Sequence, residues 1–440
     1  MKGKLLLAAK VAVSKTPAFL GTKLSGIPFE YRLGKEYSSC KSKVVLPVSS
    51  DEILATMKQL VSDSYHEIPF YKEFYNDNSF HPDRLVTFED LALIPIVRKS
   101  DLKGYDIGSR SVKDARGILT NTGGTSGQPL GLMLDGSAYA REWAHMHAIW
   151  EKLGYETSDV KITLRGMNLG SDPVRYNFIH NEFQINAYCE IQLVFERLVL
   201  ILKKYKVKYL HGYPSSIYEF LRSVENQKPE LLGLLKKELK GIFLGSEYPA
   251  PIYRDFIESK LGVKTISWYG HSEMAVLAGE CSPYIYQPLH NYGYTEAVEM
   301  PGGFHLIGTT INNKISPLIR YDTEDLIEPV SFTEHNILES FRISQGRVGE
   351  FVVDKNNRKV SLTALIFGRH HEMFEYAEFI QVSQLSDGAM TVWVTTASKD
   401  IDWKSKFDDE GIFMDLSFEI IRQPFKTQAG KLPLLINNLI

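Results

Sequence analysis

Four short stretches carry side chains able to do chemistry. Residues 120–129 read TNTGGTSGQP, three glycines and four hydroxyl side chains set between apolar segments. Glycine lets a backbone approach an anion and adopt positive φ, so successive N–H groups can converge on phosphate while Thr122, Thr125 and Ser126 add hydroxyl donors. The same composition also suits a plain surface turn. In WYGHSE, Glu273 follows an apolar run and a glycine. A carboxylate there can hold Mg²⁺ beside phosphates, because that ion takes few carboxylates plus phosphate oxygens; otherwise it is simply solvated. In PLIRYDTEDL, Asp325 can accept hydrogen bonds from a ribose diol or cap a strand end. In FKTQAGKLP, Lys431 follows a glycine near the C-terminus and can bring one positive charge to a developing anion, or be an inert tail lysine.

Several other chemistries are excluded. No GK[ST] follows the glycine-rich loop, and GxGxxG, HExxH and GxSxG are absent, so a Walker A NTPase, a Rossmann dehydrogenase, a zincin and an α/β-hydrolase are all unsupported. Cys40, Cys189 and Cys281 are far apart and never form CxxC, which fits a reducing compartment and no disulfide framework. His145 and His147, two apart, point away from each other on a helix, and adjacent His370 and His371 are uninformative.

Those residues need a scaffold. The chain has 440 residues, 44% of them hydrophobic and 23% charged, enough for roughly two to four domains or subdomains of ordinary globular protein. Fifty basic against 53 acidic residues leave no basic footprint for nucleic acid. No run of about 18 apolar residues lacks a charge, and Lys10 interrupts the N-terminal apolar stretch; the expectation is a cytoplasmic protein with no membrane-spanning segment. Ser50 and Asp51 before Ile53, Leu54, Met57, Leu60 and Val61 predict a helix that stops near Pro69. Between 207 and 270 a short apolar run, the loop HGYPSS, a helix opened by a capping box at Ser216 and Glu219, IFLGSEYP, a helix after Pro251 and KTISWYG alternate strand with helix. That helix carries Ile252, Phe256, Ile257 and Leu261 on one side and ends at Gly262. A mostly parallel sheet follows, with ligand sites beyond the carboxyl ends of its strands, which places GSEYP and YGHSE together. Asp322, Thr323 and Asp325 read as a polar turn. After Gly346 short β-rich stretches surround a helix candidate near Asp402 to Asp409, so a smaller α+β domain begins there, with GRVG at 346–349 as hinge.

In order along the chain, the TGGTSGQP loop, YGHSE, RYDTED, GR and the late GK resemble the motifs of adenylate-forming enzymes. The chain is most similar to the phenylacetate-CoA ligase-like branch, including the CapK-type proteins associated with capsular polysaccharide synthesis. That similarity also runs through YHEIPFYKEFY, LALIPIVRKSDL, LHGYPSSIYEFL and LGSEYP, from about residue 65 to the end. The resemblance implies a large N-terminal α/β domain, residues 1–347, with mostly parallel sheets flanked by helices. A small mobile α+β domain, residues 348–440, would carry the adenylation lysine. It implies that Thr122, Gly123, Gly124, Thr125, Ser126 and Gly127 hold the β- and γ-phosphates of ATP, and that Gly245, Ser246 and Glu247 with Trp268, Tyr269 and Gly270 flank adenine. Glu273 would hold Mg²⁺, Asp325 and Arg347 the ribose, and Lys431 the carboxylate and α-phosphate, with Tyr213 and His271 toward the acid. His271 lines the acyl pocket or faces solvent.

The implied reaction makes an acyl-adenylate and passes the acyl group to CoA, the commoner acceptor, or to an amine such as a sugar amine. Alternatives from other classes are transfer of AMP to a hydroxyl acceptor and a nucleotide-binding protein without turnover. Gln128 stands where the broader superfamily has a lysine, and LGLMLD follows the loop where phenylacetate-activating members typically have a tyrosine, so phenylacetate itself is not expected. Cys281 and His290 match a Cys/His pair that some relatives place near zinc, but two ligands do not make a tetrahedral site and no structural zinc is expected. The acid, the acceptor and the oligomeric state are not legible in these motifs.

Overall fold

The computed structural model describes residues 16–437 apart from 45, 122–129, 302, 334, 345–349, 363–364, 367–368, 370, 378, 397, 399 and 426–432. Helix α1 (Ser50–Glu67) forms as its apolar spacing predicts, with Ile53, Met57, Leu60 and Val61 buried; its cap is Ser49, in a capping box with Glu52, one residue earlier than expected. Strands β1 (Ile118–Asn121) and β2 (Gly131–Leu134) pair antiparallel and flank the glycine-rich loop. Helix α2 (Ala138–Trp150) leads into β3 (Val160–Met167), β4 (Val174–Asn177), β5 (Glu182–Asn186), α3 (Ile191–Lys204), β6 (Val207–Gly212), α4 (Pro214–Gln227), α5 (Pro229–Lys236), β7 (Gly241–Leu244), α6 (Pro251–Leu261) and β8 (Thr265–Gly270). Helix α4 opens at Pro214, a residue preset for the first turn, so Ser216 lies inside it and the predicted capping box does not form. Helix α6 ends at Gly262 with φ 71° as foreseen, but Ile252 is exposed.

Among the described residues the parallel strands run β5–β3–β6–β7–β8, with β4 antiparallel outside β5; beyond β8 the sheet continues antiparallel through β9 (Leu277–Ser282), β10 (Ile285–Pro288), β14 (Leu338–Ile343), β13 (Tyr321–Phe332), β12 (Gly303–Thr310) and β11 (Gly293–Met300), twelve strands in all. The sheet is therefore mixed, with the predicted parallel character confined to its central part. Register gives the two faces of that part different chemistry. Ile162, Leu164, Leu210, Ile242 and Leu244 point to one face and pack against α3 to α6 in an apolar core. Lys161, Thr163, Tyr209, His211, Phe243 and Ile266 occupy the other face, under α2. That face holds the buried ion pair of Lys161 and Glu182, with Nζ 3.5 Å from Oε2 and the Thr163 hydroxyl donating to the same oxygen at 2.7 Å.

Beyond residue 350 a separate core forms from Val352, Leu365, Ile380, Val392, Val394 and Trp403. It is built on the hairpin β15 (Phe351–Val353) and β16 (Lys359–Ser361) and on a three-stranded sheet, β17 (Phe379–Ser386), β18 (Ala389–Thr395) and β19 (Asp415–Ile421). The helix candidate near 402–409 is a single turn, α7 (Trp403–Lys406), capped by Asp402. This part meets the rest through polar contacts. Arg369 lies over the ring of Tyr188 at 4.1 Å, Arg358 donates to the Tyr188 carbonyl, Asn168 donates to the Glu410 carbonyl, and Lys359 pairs with Glu219 at 2.8 Å.

Candidate functional site

The loops after β6, β7 and β8 lie side by side at the carboxyl ends of parallel strands, the first two leading into helices and the third into β9, where backbone groups can meet a ligand. Gly212 runs so close to β3 that a Cβ there would lie 2.3 Å from the Leu164 carbonyl oxygen. Gly245 lies flat against the Trp268 indole: an added Cβ would sit 2.1 Å from Cζ2. This glycine is what lets the indole cover the end of β7. The next residue, Ser246, has φ 67°, and Glu247 turns back to accept a hydrogen bond from the Ser215 amide at 3.2 Å, tying the β7 loop to the start of α4.

Glu273 is buried, with one oxygen receiving a hydrogen bond from His271 Nδ1 at 3.1 Å and the other 3.8 Å from Lys99 Nζ. Burial pushes its carboxyl up, but the hydrogen bond and charge of His271 and the charge of Lys99 outweigh it and hold the pKa at about 2. The group is thus an obligate anion near neutral pH. Tyr269, at the end of β8, donates to Asp325 Oδ2 at 2.6 Å and links the site to β13. Asp322 to Asp325 are part of that strand, not of a turn; Glu324 at φ 64°, next to a register shift against β12, bulges it. Asp322 accepts from His305 Nδ1 at 3.1 Å, and Thr323 donates to the Leu306 carbonyl, so the bulge is braced from β12. Ser246, Met274 and Glu324 are all left-handed non-glycine residues, one in each of the three converging segments, and such positions persist only where the surroundings enforce them.

Glu247, Gly245, Trp268 to Gly270, His271, Glu273 and Asp325 are thus brought together. Tyr213 is buried at the N-cap of α4. His271 is mostly enclosed, and its Nε2 is buried without a hydrogen bond, which favours an inward role over a solvent-facing one. Residues 122–127, Arg347 and Lys431 lie outside the described residues. On the carboxyl side of the glycine-rich segment, Leu130 and Leu132 nonetheless share one core with Ala275, two residues from Glu273. Cys281 and His290 do not share a site: the thiol donates to Ile285 O, and the imidazole Nε2 meets Leu338 O. Among the described residues no three His, Cys, Asp or Glu side chains converge as metal ligands. A single ionised carboxylate fits a hard divalent cation whose other ligands are phosphate oxygens and water.

Three residues escaped sequence reasoning. Lys99 lies in the short helix Lys99–Lys103 and carries a buried charge toward Glu273; the motif IPIVRKSDL contained it, but nothing local marked it as distinct from Arg98. Gln381, buried in β17, accepts from Phe425 N and donates to Phe425 O and Pro433 O, so one amide pins both flanks of the segment that contains Lys431. Arg165 lies near the carboxyl end of β3 on the α2 face, its guanidinium 6.0 Å from the centre of the Tyr213 ring.

No known family profile matches the chain. Phenylacetate-coenzyme A ligase of Pseudomonas putida is 25% identical over 300 residues, covering 62% of this chain and 65% of that relative, so the match spans less than two thirds of it. The enzyme of the same name from Aromatoleum evansii is 23% identical over 329 residues, 69% of this chain and 72% of the relative. Among solved structures, 2-hydroxyisobutyryl-CoA ligase in its postadenylation state superposes with a TM-score of 0.54 at 16% identity, covering 90% of this chain and 91% of the other. The same ligase with 2-HIB-AMP and CoA in the thioesterification state also gives 0.54, at 17% identity and the same coverage. The chain has the acyl-CoA ligase fold: a large mixed α/β part and a small C-terminal part built on strands. Among the described residues no helix is long and apolar enough to cross a membrane.

Proposed function

We propose that this protein is an ATP-dependent ligase that activates an organic carboxylic acid as an acyl-adenylate and transfers the acyl group to a thiol, CoA foremost, or to an amine. The observation that carries the proposal is the convergence of the β7, β8 and β13 segments around Glu273, a carboxylate held ionised in a buried setting. The sequence likeness to phenylacetate-CoA ligases and the fold shared with a ligase solved with an acyl-adenylate and CoA support it.

In this reading Gly245 to Glu247 and Trp268 to Gly270 enclose the adenine, and Asp325, oriented by Tyr269, accepts from the ribose together with Arg347. Glu273 would hold Mg²⁺, which supplies charge neutralisation at the phosphates. Residues 122–127 cradle the β- and γ-phosphates. The acid's carboxylate attacks the α-phosphorus, a carboxylate–phosphorus bond forms and pyrophosphate leaves, with Lys431 neutralising charge in the transition state. The chain's contribution is alignment and electrostatics rather than covalent participation. Residues from 348 onward would form the mobile unit carrying Lys431, with the hinge at Arg347. The CapK-like motifs leave open a cytoplasmic role in surface polysaccharide synthesis, in which a sugar amine would take the acyl group in place of CoA, the commoner acceptor.

ATP–pyrophosphate exchange across a panel of acids tests the proposal directly. Exchange that depends on an added acid is expected; folded protein that exchanges with none of them defeats it. Mass spectrometry of the product then separates an acyl thioester, an amide and an AMP adduct.

A further inference from the structure

At the carboxyl edge of the α2 face sit side-chain nitrogens without a hydrogen-bond partner among the described residues. Arg165 is half-buried, and among the described residues it makes no hydrogen bond or ion pair, its neighbour being the face of Tyr213 at 6.0 Å. Register places it there: Thr163 pairs with His211 and Leu164 with Gly212, so Arg165, two residues beyond Thr163, lies on the same face as His211, just past the last residue paired with β6. His211 is 2% exposed, with Nδ1 buried and unpartnered, its ring between those of Trp150 at 4.9 Å and Trp268 at 5.8 Å. Nε2 of His271 is likewise buried and unpaired. The facing helix supplies Glu142, whose carboxylate already accepts from the Tyr292 hydroxyl and feels the charges of His271 and Arg165.

A buried polar nitrogen without a partner costs free energy, and a half-buried guanidinium that an incoming ligand strips of water does the same, unless the ligand completes them. An alkyl or aryl acid would leave the Arg165 guanidinium desolvated and unpaired as it filled this space. A ligand oxygen would satisfy it, and a carboxylate would match its fork. Trp268, which closes one side, is the residue that covers the adenine in the proposed reading, so the donors lie beside the reacting end of the acid.

We infer that the acid activated here carries a further acceptor oxygen on its acyl chain, a hydroxyl or a second carboxylate, and that Arg165 with His211 is the determinant that selects it. This inference rests on the ligase reading and names the substrate class of that site.

The test compares butyrate, 3-hydroxybutyrate and succinate in acid-dependent pyrophosphate release, with wild type, Arg165→Met and Arg165→Lys. Wild type is expected to favour at least one oxygen-bearing acid over butyrate by tenfold or more in kcat/KM. The hydroxy and dicarboxylic arms tell a neutral acceptor from a charged one. Arg165→Met should lose about 10- to 100-fold on the favoured acid, mostly in KM, and stay within threefold on butyrate. Arg165→Lys should recover part of a preference for succinate. A wild type that prefers butyrate, or a Met variant that loses all acids equally, overturns the inference. Calorimetric titration of the same acids, without nucleotide, separates this from the ligase reading: binding of an oxygen-bearing acid that Arg165→Met abolishes upholds the pocket even if no acid releases pyrophosphate, and acid binding unaffected by the substitution sinks it even if turnover is found.

Discussion

Gly245→Ala isolates the contact on which the proposed adenine cover depends. The new methyl carbon would lie 2.1, 2.5 and 2.8 Å from Cζ2, Cη2 and Cε2 of Trp268, whereas ordinary contact begins near 3.4 Å. The indole or β7 must therefore yield by about 1.3 Å. On its inner side Trp268 meets Trp150, stacked on Phe243 at 4.3 Å, and buried His211, so the indole can swing only outward, over the space assigned to the base. Overpacking of this kind costs about 1–3 kcal/mol. If most of it falls on the complex, nucleotide affinity drops about 5- to 150-fold, at about 1.4 kcal/mol per decade. In a chain this long the same energy moves Tm by only a few degrees. Titration calorimetry with a non-hydrolysable ATP analogue, paired with tryptophan fluorescence, reads both effects. A dissociation constant within twofold of wild type, with unaltered fluorescence, would refute the reasoning, because the added methyl would then have been absorbed without displacing the indole or disturbing the site.

Lys161→Met should destabilise the protein by about 3–5 kcal/mol in denaturant unfolding, because it strands Glu182 as a buried unpaired carboxylate, and adding Glu182→Gln should restore most of the loss. For Glu273 the folded pKa of about 2 lies below the ordinary 4.5, so its stabilisation is complete above 4.5 and disappears as pH falls toward 2. The stability gap between wild type and Glu273→Gln should accordingly shrink by about 3 kcal/mol across that interval, and a gap independent of pH in thermal scans would contradict it. Lys431→Ala should cut adenylation by about 10²- to 10³-fold while supplied acyl-adenylate is still consumed; equal loss of both half-reactions would count against a lysine confined to the first. Gln381→Leu, which frees both flanks of the Lys431 segment, should show a milder form of the same asymmetry, with the far-UV spectrum unchanged.

Much of this arrangement was legible because its signals are local. The apolar stripe of α1, the strand and helix alternation from 207 to 270 and the change of character after Gly346 all rest on spacing, and each corresponds to an observed element. The failures have a different origin. Ser216 and Glu219 have the spacing of a capping box, yet Pro214 starts the helix first, and Glu219 is used in an ion pair with Lys359, 140 residues away. The Asp322 to Asp325 segment looks like a turn by composition, but pairing with β12 at Asp322 and at Leu326 carries the strand through it, and the extra residues between are taken up as a bulge with Glu324 left-handed. Lys99, Arg165 and Gln381 owe their interest to partners brought near only by the sheet, so no window along the chain could single them out.

The seam around Tyr188 bears on how freely the two parts of the molecule can separate. Guanidinium groups, a lysine and backbone carbonyls make the junction, while the aliphatic cores on either side stay sealed within their own halves. Parting them would hand mostly hydrated groups back to water and expose little greasy surface, so salt should weaken the joint more than it weakens either core.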